Sequence, residues 1–530
     1  METTPAELKA AATADSKRAT GSTTTSDSED ERAHRQAKET DLPNAHTRPK
    51  DWPRRKKWTA TLLLSAFAFL QPLSETMLAP TQISISTSLS ISSPWQWLLV
   101  NSLILIGVGL GPLLLAPLSE IYGRKPVLLG GSLVFVVWNT ACGLSKSLGQ
   151  LLAFRLLSGF GACVADALAG GLMGDLWRAD ERGRAFAVFM AAPLLGPALG
   201  PICGAYISEG TGDWRWVFWI TSAASGAVIL LAAVFLRETY EPRLVLLAAR
   251  KEERRRRAAD SGSGAGSIVE EGKETGEEKT PPSPTDLKTP FLSLMRTNLQ
   301  RPFRMLGTQV IVQLLATYMA LLYGTMFLFL FMYPRMWAEQ YSQGVRTGSL
   351  NYISFAIGLI AGVNVAGHLS DRVYARLKAR NGGDGGDGKG RPEFRVPTMV
   401  IGTALVPVGL LWWGWSGQPR LHWIMPNIGS LIFAAGVYVC SGCVSVYTID
   451  TYGRYAASAI STNLVLRSLT AAFFPLFAPY MFDSLGFGLG ATALAGGFAV
   501  FGTVVVAVLW FYGERLRGRS TYCAAGSEDD

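Results

Sequence analysis

Charged side chains are scarce in this sequence. Asp, Glu, Lys and Arg make up 17% of its 530 residues, against about 25% in soluble domains, and this excludes an ordinary soluble protein. Histidine and cysteine are also few, with four and six residues. The histidines form no ligand cluster, and the cysteines indicate no disulfide framework. We therefore expect no metal site and no cofactor.

Apolar residues are abundant instead, at 49% of the chain, and there are 56 glycines. A membrane-spanning helix needs about 20 mostly apolar residues, and small residues let such helices approach closely. Twelve segments, here called spans 1 to 12, meet the requirement. The sequence thus predicts an all-α integral membrane protein with twelve transmembrane helices in two pseudo-symmetric six-helix halves. The predicted spans are 58–80, 95–117, 125–144, 149–174, 183–207 and 214–236, then 305–333, 346–369, 397–415, 421–449, 456–482 and 488–512.

Polar segments surround the two blocks of six spans. They cannot bury enough apolar surface to order themselves. No apolar core precedes Trp58, so we expect no cleaved signal peptide. The predicted organisation is a disordered cytoplasmic tail, a first half, a cytoplasmic central linker, a second half and a cytoplasmic tail. These occupy residues 1–57, 58–236, 237–304, 305–514 and 515–530.

Lys and Arg are concentrated in alternate gaps between the spans. The gap after span 2 holds Arg124 and Lys125, whereas the gaps 81–94 and 208–213 hold neither residue type. Because basic loops stay on the cytoplasmic side, both termini and the linker are predicted to face the cytoplasm. The net charge of +9 follows from this topology, and we expect no binding of nucleic acid.

A short charged motif occurs at equivalent positions in the two halves. APLSEIYGRK (116–125) follows span 2, and LSDRVY (369–374) follows span 8. Paired halves with a binding site between them are a recurring plan of transporters. Two further motifs are RLLSGFGA (155–162) in span 4 and GPALGP (196–201) in span 5.

With these motifs in order on the corresponding spans, the sequence resembles the major facilitator superfamily, most of all its fungal drug:proton antiporter branch with twelve spans. The resemblance covers about residues 52–515. GPLLLAPLSEIYGRKP matches the family's loop motif between spans 2 and 3, with Glu120 where Asp is commonest, and GHLSDRVYAR is a degenerate second copy. The resemblance implies a transporter that works by alternating access, not an enzyme.

The two copies of the loop motif are predicted to form a cytoplasmic gate. A tight turn between two helices requires Gly123, and Glu120 can face the partial positive charge of a helix N-terminus. By the family's pattern that helix is span 11, which begins near Tyr455. The alternative is that these charges only set the topology. The predicted gate residues are Glu120, Gly123, Arg124, Asp371 and Arg372.

Few ionisable side chains lie within the spans. Each costs at least about 2.5 kcal/mol to insert, so each is a functional candidate. The family's cavity is lined by spans 1, 4, 7 and 10, which would bring Glu75, Arg155 and Asp166 inward. We expect Glu75 to pair with Arg155, and Glu75 and Asp166 to carry protons, unless they are merely buried hydrogen-bonding groups. Arg467 is expected to tie the halves together, and Asp450 is a further candidate.

Span 5 carries the motif that the family associates with antiport, at Gly196, Pro197 and Gly200. Prolines remove backbone donors and bend a helix, while glycines allow close packing on a neighbouring helix. Simple packing and the sealing of a pathway against leak are both compatible with this motif.

Amide and aromatic side chains of spans 7 and 10 are predicted to line the cavity, at Gln309, Gln313, Tyr323, Tyr438 and Tyr447. Such a lining suits an amphipathic organic molecule better than a sugar. The resemblance implies proton-coupled export of drugs, toxins or the cell's own specialised metabolites. Protons and the lipid bilayer are the other expected partners. We expect a monomer in the plasma membrane, with a vacuolar or vesicle membrane as the alternative.

Other functions remain as alternatives. A polyamine exporter would call for more intramembrane carboxylates. A polytopic membrane enzyme would depend on His368 and Asp371, which fall inside the second copy of the loop motif. A channel or a non-transporting sensor is the third alternative, and proton-coupled uptake in vesicles would separate a carrier from it.

Overall fold

The computed structural model describes residues 48–91, 93–245, 247, 300–381, 391–452, 456–520 and 523. Most of the predicted tails and linker, and the start of span 11 at Tyr455, lie outside these ranges. Within them every regular element is helical. Twelve of these helical segments are long and apolar enough to cross a membrane, which confirms the predicted fold class.

The first half contains six spans, and several of their helices extend past the predicted limits because hydropathy marks only the apolar middle of each helix. Span 1 consists of two helices separated by the 3-10 turn Ala79–Thr81. Span 4 is also broken, at Cys163. The helices are Arg54–Thr76 with Gln82–Ser88, Pro94–Tyr122, Arg124–Gly143, Leu148–Ala162 with Val164–Leu176, Ala179–Thr211 and Arg215–Phe235.

The second half also contains six spans. A short helix, Val345–Leu350, precedes span 8, and span 12 contains a kink at Gly486, whose φ of 74° is a conformation that glycine adopts at no steric cost. The spans are Val310–Tyr341, Tyr352–Asn381, Val396–Gly417, Ile424–Tyr452, Ala456–Phe473 and Ala478–Gly518. Two 3-10 turns, Pro392–Arg395 and Phe474–Leu476, lie before span 9 and after span 11.

The packing of the spans repeats between the halves. Span 1 packs on span 5, span 2 on span 4, and span 3 on spans 4 and 6. In the second half, span 7 packs on span 11, span 8 on span 10, and span 9 on spans 10 and 12. Across the interface, span 2 meets span 11 and span 5 meets span 8. This pattern is a pseudo-twofold relation between the halves.

The two faces of the bundle differ in charge. The number of spans is even, so the start of span 1 and the end of span 12 lie on one face. That face also carries Arg124 at the start of span 3 and Arg395 just before span 9. We call it the basic face and the other the opposite face.

The intramembrane carboxylates lie beside the two helix breaks. Glu75 is the penultimate residue of the first helix of span 1, and Asp166 is in the first turn of the second helix of span 4. A helix N-terminus carries a partial positive charge, which favours a carboxylate at Asp166. The breaks therefore place both acids where the backbone is not continuously helical.

Candidate functional site

Glu75 lies beside a small cavity between the two halves. Its side chain is buried, and its carboxylate accepts a hydrogen bond from the Gln71 amide one turn earlier. The cavity has a volume of about 50 Å³, which is room for a few water molecules. Residues of both halves line it, among them Thr76, Asn101, Ser102, Phe327 and Phe331.

Arg155 is fully buried near Glu75 but does not pair with it directly. Its Nε donates to the Val100 carbonyl at 3.2 Å, and its guanidinium carbon lies 5.9 Å from the centre of the Phe218 ring. Its two terminal nitrogens have no hydrogen-bond partner in the described part of the chain. The charges of Arg155 and Glu75 still interact at longer range. The expected pairing is thus electrostatic and indirect in this conformation.

Asn139 of span 3 holds span 1 beside Glu75, and sequence reasoning missed it. Its amide oxygen accepts a hydrogen bond from the Ser74 hydroxyl at 3.3 Å. Its amide nitrogen lies 3.0 Å from the Thr221 hydroxyl and 2.9 Å from the Ser222 hydroxyl in span 6. Asn139 is completely buried, and a buried asparagine among apolar residues was the available sequence signal.

Asp166 and Arg467 approach the same interface from different halves. Asp166 is partly buried, and the charge of Arg467 acts on both Asp166 and Glu75. Arg467 donates from Nη1 to the Tyr323 hydroxyl at 3.1 Å, and its guanidinium carbon lies 4.5 Å from the centre of that ring. Two carboxylates of the first half therefore interact with one cation of the second half.

Span 5 packs its glycines directly behind Glu75. A Cβ atom at Gly196 would lie 2.8 Å from the backbone nitrogen of Leu73, and one at Gly200 would meet the Thr76 hydroxyl. The Thr76 hydroxyl also donates to the Gly196 carbonyl at 3.4 Å. Ala198, which lies between these glycines, is buried in the core cluster of the second half. The span 5 motif therefore lies between span 1 and the second half.

Glu238, just after span 6, caps the N-terminus of span 3. Its carboxylate oxygens accept hydrogen bonds from the backbone N–H groups of Arg124 at 2.8 Å and Lys125 at 3.3 Å. Gly123 has a φ of 97°, and a Cβ atom there would meet the Glu238 carboxylate. Gly123 is thus required both by its backbone conformation and by this close approach.

The Arg124 side chain joins three parts of the first half. Its Nε donates to Asp175 at the end of span 4 at 3.2 Å, and its Nη1 donates to the Ser119 hydroxyl at 2.5 Å. Its guanidinium carbon lies 5.1 Å from the centre of the Tyr240 ring. Burial, and the Glu120 carboxylate nearby, raise the pKa of Tyr240. Glu120 itself is exposed, and its expected neighbour near Tyr455 lies outside the described residues.

The second half repeats this cluster around Arg395. Its Nη1 donates to Asp371 at 2.8 Å and to the Ser370 hydroxyl at 3.1 Å, and its Nε donates to Asp450 at 3.4 Å. The sequence predicted Asp371 as a gate residue and Asp450 as a further intramembrane candidate. Arg395 was not among the predicted site residues, although RPEFR directly before span 9 was a signal. The predicted gate residue Arg372 is exposed.

Two of the predicted cavity residues form hydrogen bonds at the basic face instead of lining the cavity. Tyr447 is buried and donates to Glu393 at 3.5 Å, and Gln309 is buried and accepts a hydrogen bond from Ser520. Both are therefore inaccessible to a ligand in this conformation. The physical reason for Gln309 is that the span 7 helix begins at Val310, later than predicted, so this residue lies at its N-terminus.

The other predicted cavity residues have different surroundings. Gln313 donates to the Leu306 carbonyl at 2.7 Å, close to the start of span 7. Tyr438 of span 10 is partly buried and packs against the second-half core. Tyr323 lies beside Arg467, so of this set it is the residue in contact with an intramembrane charge.

Comparison with known proteins identifies the family. A model of the Major Facilitator Superfamily matches residues 64–475. The chain is 39% identical over 484 residues to the efflux pump vrtL of Penicillium aethiopicum, with 91% of each protein covered. It is 38% identical over 478 residues to the uncharacterized transporter C1529.01 of Schizosaccharomyces pombe, covering 89% of this chain and 91% of that protein.

A solved structure shows the same fold. The xylose transporter XylE from E. coli, in a partially occluded inward-open conformation, matches with a TM-score of 0.58 at 15% identity. The match covers 86% of this chain and 98% of XylE. Twelve membrane spans, two pseudo-symmetric halves and the family match over most of the chain lead to one conclusion. The chain belongs to the Major Facilitator Superfamily and is a multi-pass membrane transporter.

Proposed function

We propose that the protein is a proton-coupled antiporter that exports amphipathic organic compounds, most of all fungal specialised metabolites or toxins, by alternating access. Its similarity to an efflux pump of a Penicillium species over nearly the whole chain supports export. Most side chains that line the cavity between the halves are apolar, among them Leu105, Phe327 and Phe331, which favours amphipathic substrates over polyamines or sugars.

The observation that carries proton coupling is the set of charges at the interface. Glu75 and Asp166 belong to the first half, whereas Arg467 belongs to the second, and their charges interact. Protonation of either acid removes its attraction to Arg467 and favours separation of the halves at that depth. Deprotonation favours their approach. A proton can shift a conformational equilibrium only through such a difference between states.

The proposal also includes an orientation of the protein in the membrane. The basic face is cytoplasmic, so both termini and the central linker at 237–304 are in the cytoplasm. The membrane is the plasma membrane and the working unit is a monomer, with residues 58–236 and 305–514 as its two moving halves. The clusters around Arg124 and Arg395 join span ends within each half, and the gate residues Glu120, Gly123, Arg124, Asp371 and Arg372 lie in or beside them.

Inverted membrane vesicles and a fluorescent amphipathic dye test the coupling. Acidification of the vesicle lumen should drive dye uptake against its gradient by the wild-type protein. Glu75→Gln and Asp166→Asn should abolish this uphill uptake but retain dye exchange down a gradient. Glu514→Gln, which removes an exposed carboxylate at the basic face, is the matched control and should behave as wild type.

Two results would contradict the proposal. If both neutral variants still accumulate dye with the wild-type pH dependence, the protons travel by another route. If an alkaline lumen drives uptake instead, the proton moves together with the dye. The second result would indicate symport, which is the mode named for the structural relative XylE.

A further inference from the structure

The opposite face contains an ion pair between the two halves. Arg346, in the short helix before span 8, places its Nε 2.6 Å from a carboxylate oxygen of Glu209, near the end of span 5. Its guanidinium carbon lies 5.6 Å from the centre of the Tyr206 ring, one turn earlier in span 5. One cation of the second half is thus held by an acid and an aromatic ring of the first.

Glu209 needs a nearby cation because of its position in the helix. Glu209 lies in the last turn of the helix Ala179–Thr211, where the helix carries a partial negative charge that is unfavourable for a carboxylate. A cation close by offsets that repulsion. Arg346 is the partner that the ion-pair geometry gives to Glu209, and it belongs to the other half.

Two further contacts between the halves lie on the same face as this ion pair. Trp95 at the start of span 2 and Tyr480 at the start of span 12 have ring centres 5.4 Å apart. Phe331 of span 7 packs against the buried cluster of the first half that contains Leu78 and Trp97. Phe331 also lines the Glu75 cavity. Phe331 therefore joins the lining of the cavity to a contact between the halves.

We propose that the Arg346–Glu209 ion pair, with Tyr206, is an external gate that holds the opposite face closed over the Glu75 cavity. The assignment of that face to the outside rests on the proposed orientation. Opening toward the outside must break this pair, because its members belong to different halves. The pairs of Arg335 with Glu339 and Asp483 lie within the second half, so opening need not break them.

The exposure of the two side chains sets the expected effect of breaking the ion pair. The Arg346 and Glu209 side chains are 47% and 38% exposed, and an exposed ion pair changes an equilibrium by at most about fivefold. Charge reversal of one member adds repulsion between the halves. We therefore expect Arg346→Glu to raise the population of the outward-open state several-fold without unfolding the protein.

Thiol labelling in intact cells tests the gate. Ser102→Cys places a reporter in the cavity, and the parent protein without this cysteine gives the background. A membrane-impermeant thiol reagent added outside should label the reporter slowly. Arg346→Glu should raise the initial labelling rate roughly two- to fivefold. The double variant Arg346→Glu with Glu209→Arg should restore the slow rate, because it re-forms the pair with reversed polarity.

Glu339→Arg is the matched control, because it reverses an acid that pairs within one half. Its labelling rate should equal that of the reporter alone at matched surface levels. An unchanged rate in Arg346→Glu, or no restoration in the double variant, overturns the proposal. A rate that rises only when the reagent reaches the basic side of inverted vesicles also overturns it. Labelling needs neither a proton gradient nor export, so failure of the gate is distinct from failure of antiport.

Discussion

Gly200→Ala is expected to damage the packing of span 5 on span 1. The added Cβ would meet the Thr76 hydroxyl and lie 2.9 Å from the Leu73 carbonyl oxygen, whereas ordinary contacts are 3.4–4 Å. The Leu73 oxygen belongs to the backbone, so one of the two helices must move. Overpacking of this kind costs about 1–3 kcal/mol. Because span 1 carries Glu75, its displacement should also impair export.

The control for this prediction is Gly226→Ala in span 6. A Cβ atom there has no neighbour within 4 Å, so the substitution adds the same methyl group without a clash. Both variants gain about 1 kcal/mol of helix propensity. The difference between them therefore isolates the packing cost, about 1–3 kcal/mol. Thermal denaturation of the purified proteins measures this difference, and dye export from cells measures its consequence.

A second substitution tests the geometry itself. Thr76→Ala removes the hydroxyl that the new methyl group meets, so the double variant with Gly200→Ala should recover part of the stability. The Leu73 carbonyl remains, and recovery should be incomplete. Equal melting temperatures and equal export for Gly200→Ala and Gly226→Ala would refute the reasoning.

Three further predictions concern the polar clusters. Arg395→Ala removes the shared partner of Asp371 and Asp450 and should lower the melting temperature and export, by about 1 kcal/mol or less per exposed pair; full retention of both would contradict it. Glu238→Gln weakens the cap of span 3 by about 0.3–1 kcal/mol, and the loss should shrink at high salt in a denaturation series. Asn139→Ala removes the partner of the buried Ser74 and Ser222 hydroxyls and should lower the free energy of unfolding by about 1–3 kcal/mol. Wild-type thermal stability of this variant would contradict the assigned contacts.

The spans could be predicted because apolar length is a local property of the chain. The loop motifs could also be recognised in the sequence, since Gly123 and its neighbours follow span 2 directly. The partners of Arg124 could not be predicted, because Asp175 and Glu238 are 51 and 114 residues away along the chain. Only the packing of spans 3, 4 and 6 brings these groups together.

The expected pairing of Glu75 with Arg155 does not form a direct hydrogen bond in this conformation, because depth along a helix does not fix the direction of a side chain. A rise of about 1.5 Å per residue places them at similar depths, but rotation about each helix axis decides whether two side chains touch. Arg155 points to the Val100 carbonyl instead. At Tyr447, the periodicity of span 10 could not reveal that Glu393, from the loop before span 9, covers the phenol.

The volume of the Glu75 cavity distinguishes between water and a drug-sized cargo. About 50 Å³ accommodates water, while pockets for drug-sized molecules occupy about 300–1,000 Å³. In this conformation the space beside Glu75 therefore admits water and excludes a cargo of drug size. In the proposed antiport, the proton and the cargo would then reach this position at different moments of the cycle. The proposed cycle would thus order the two loading events by changes in volume as well as by charge.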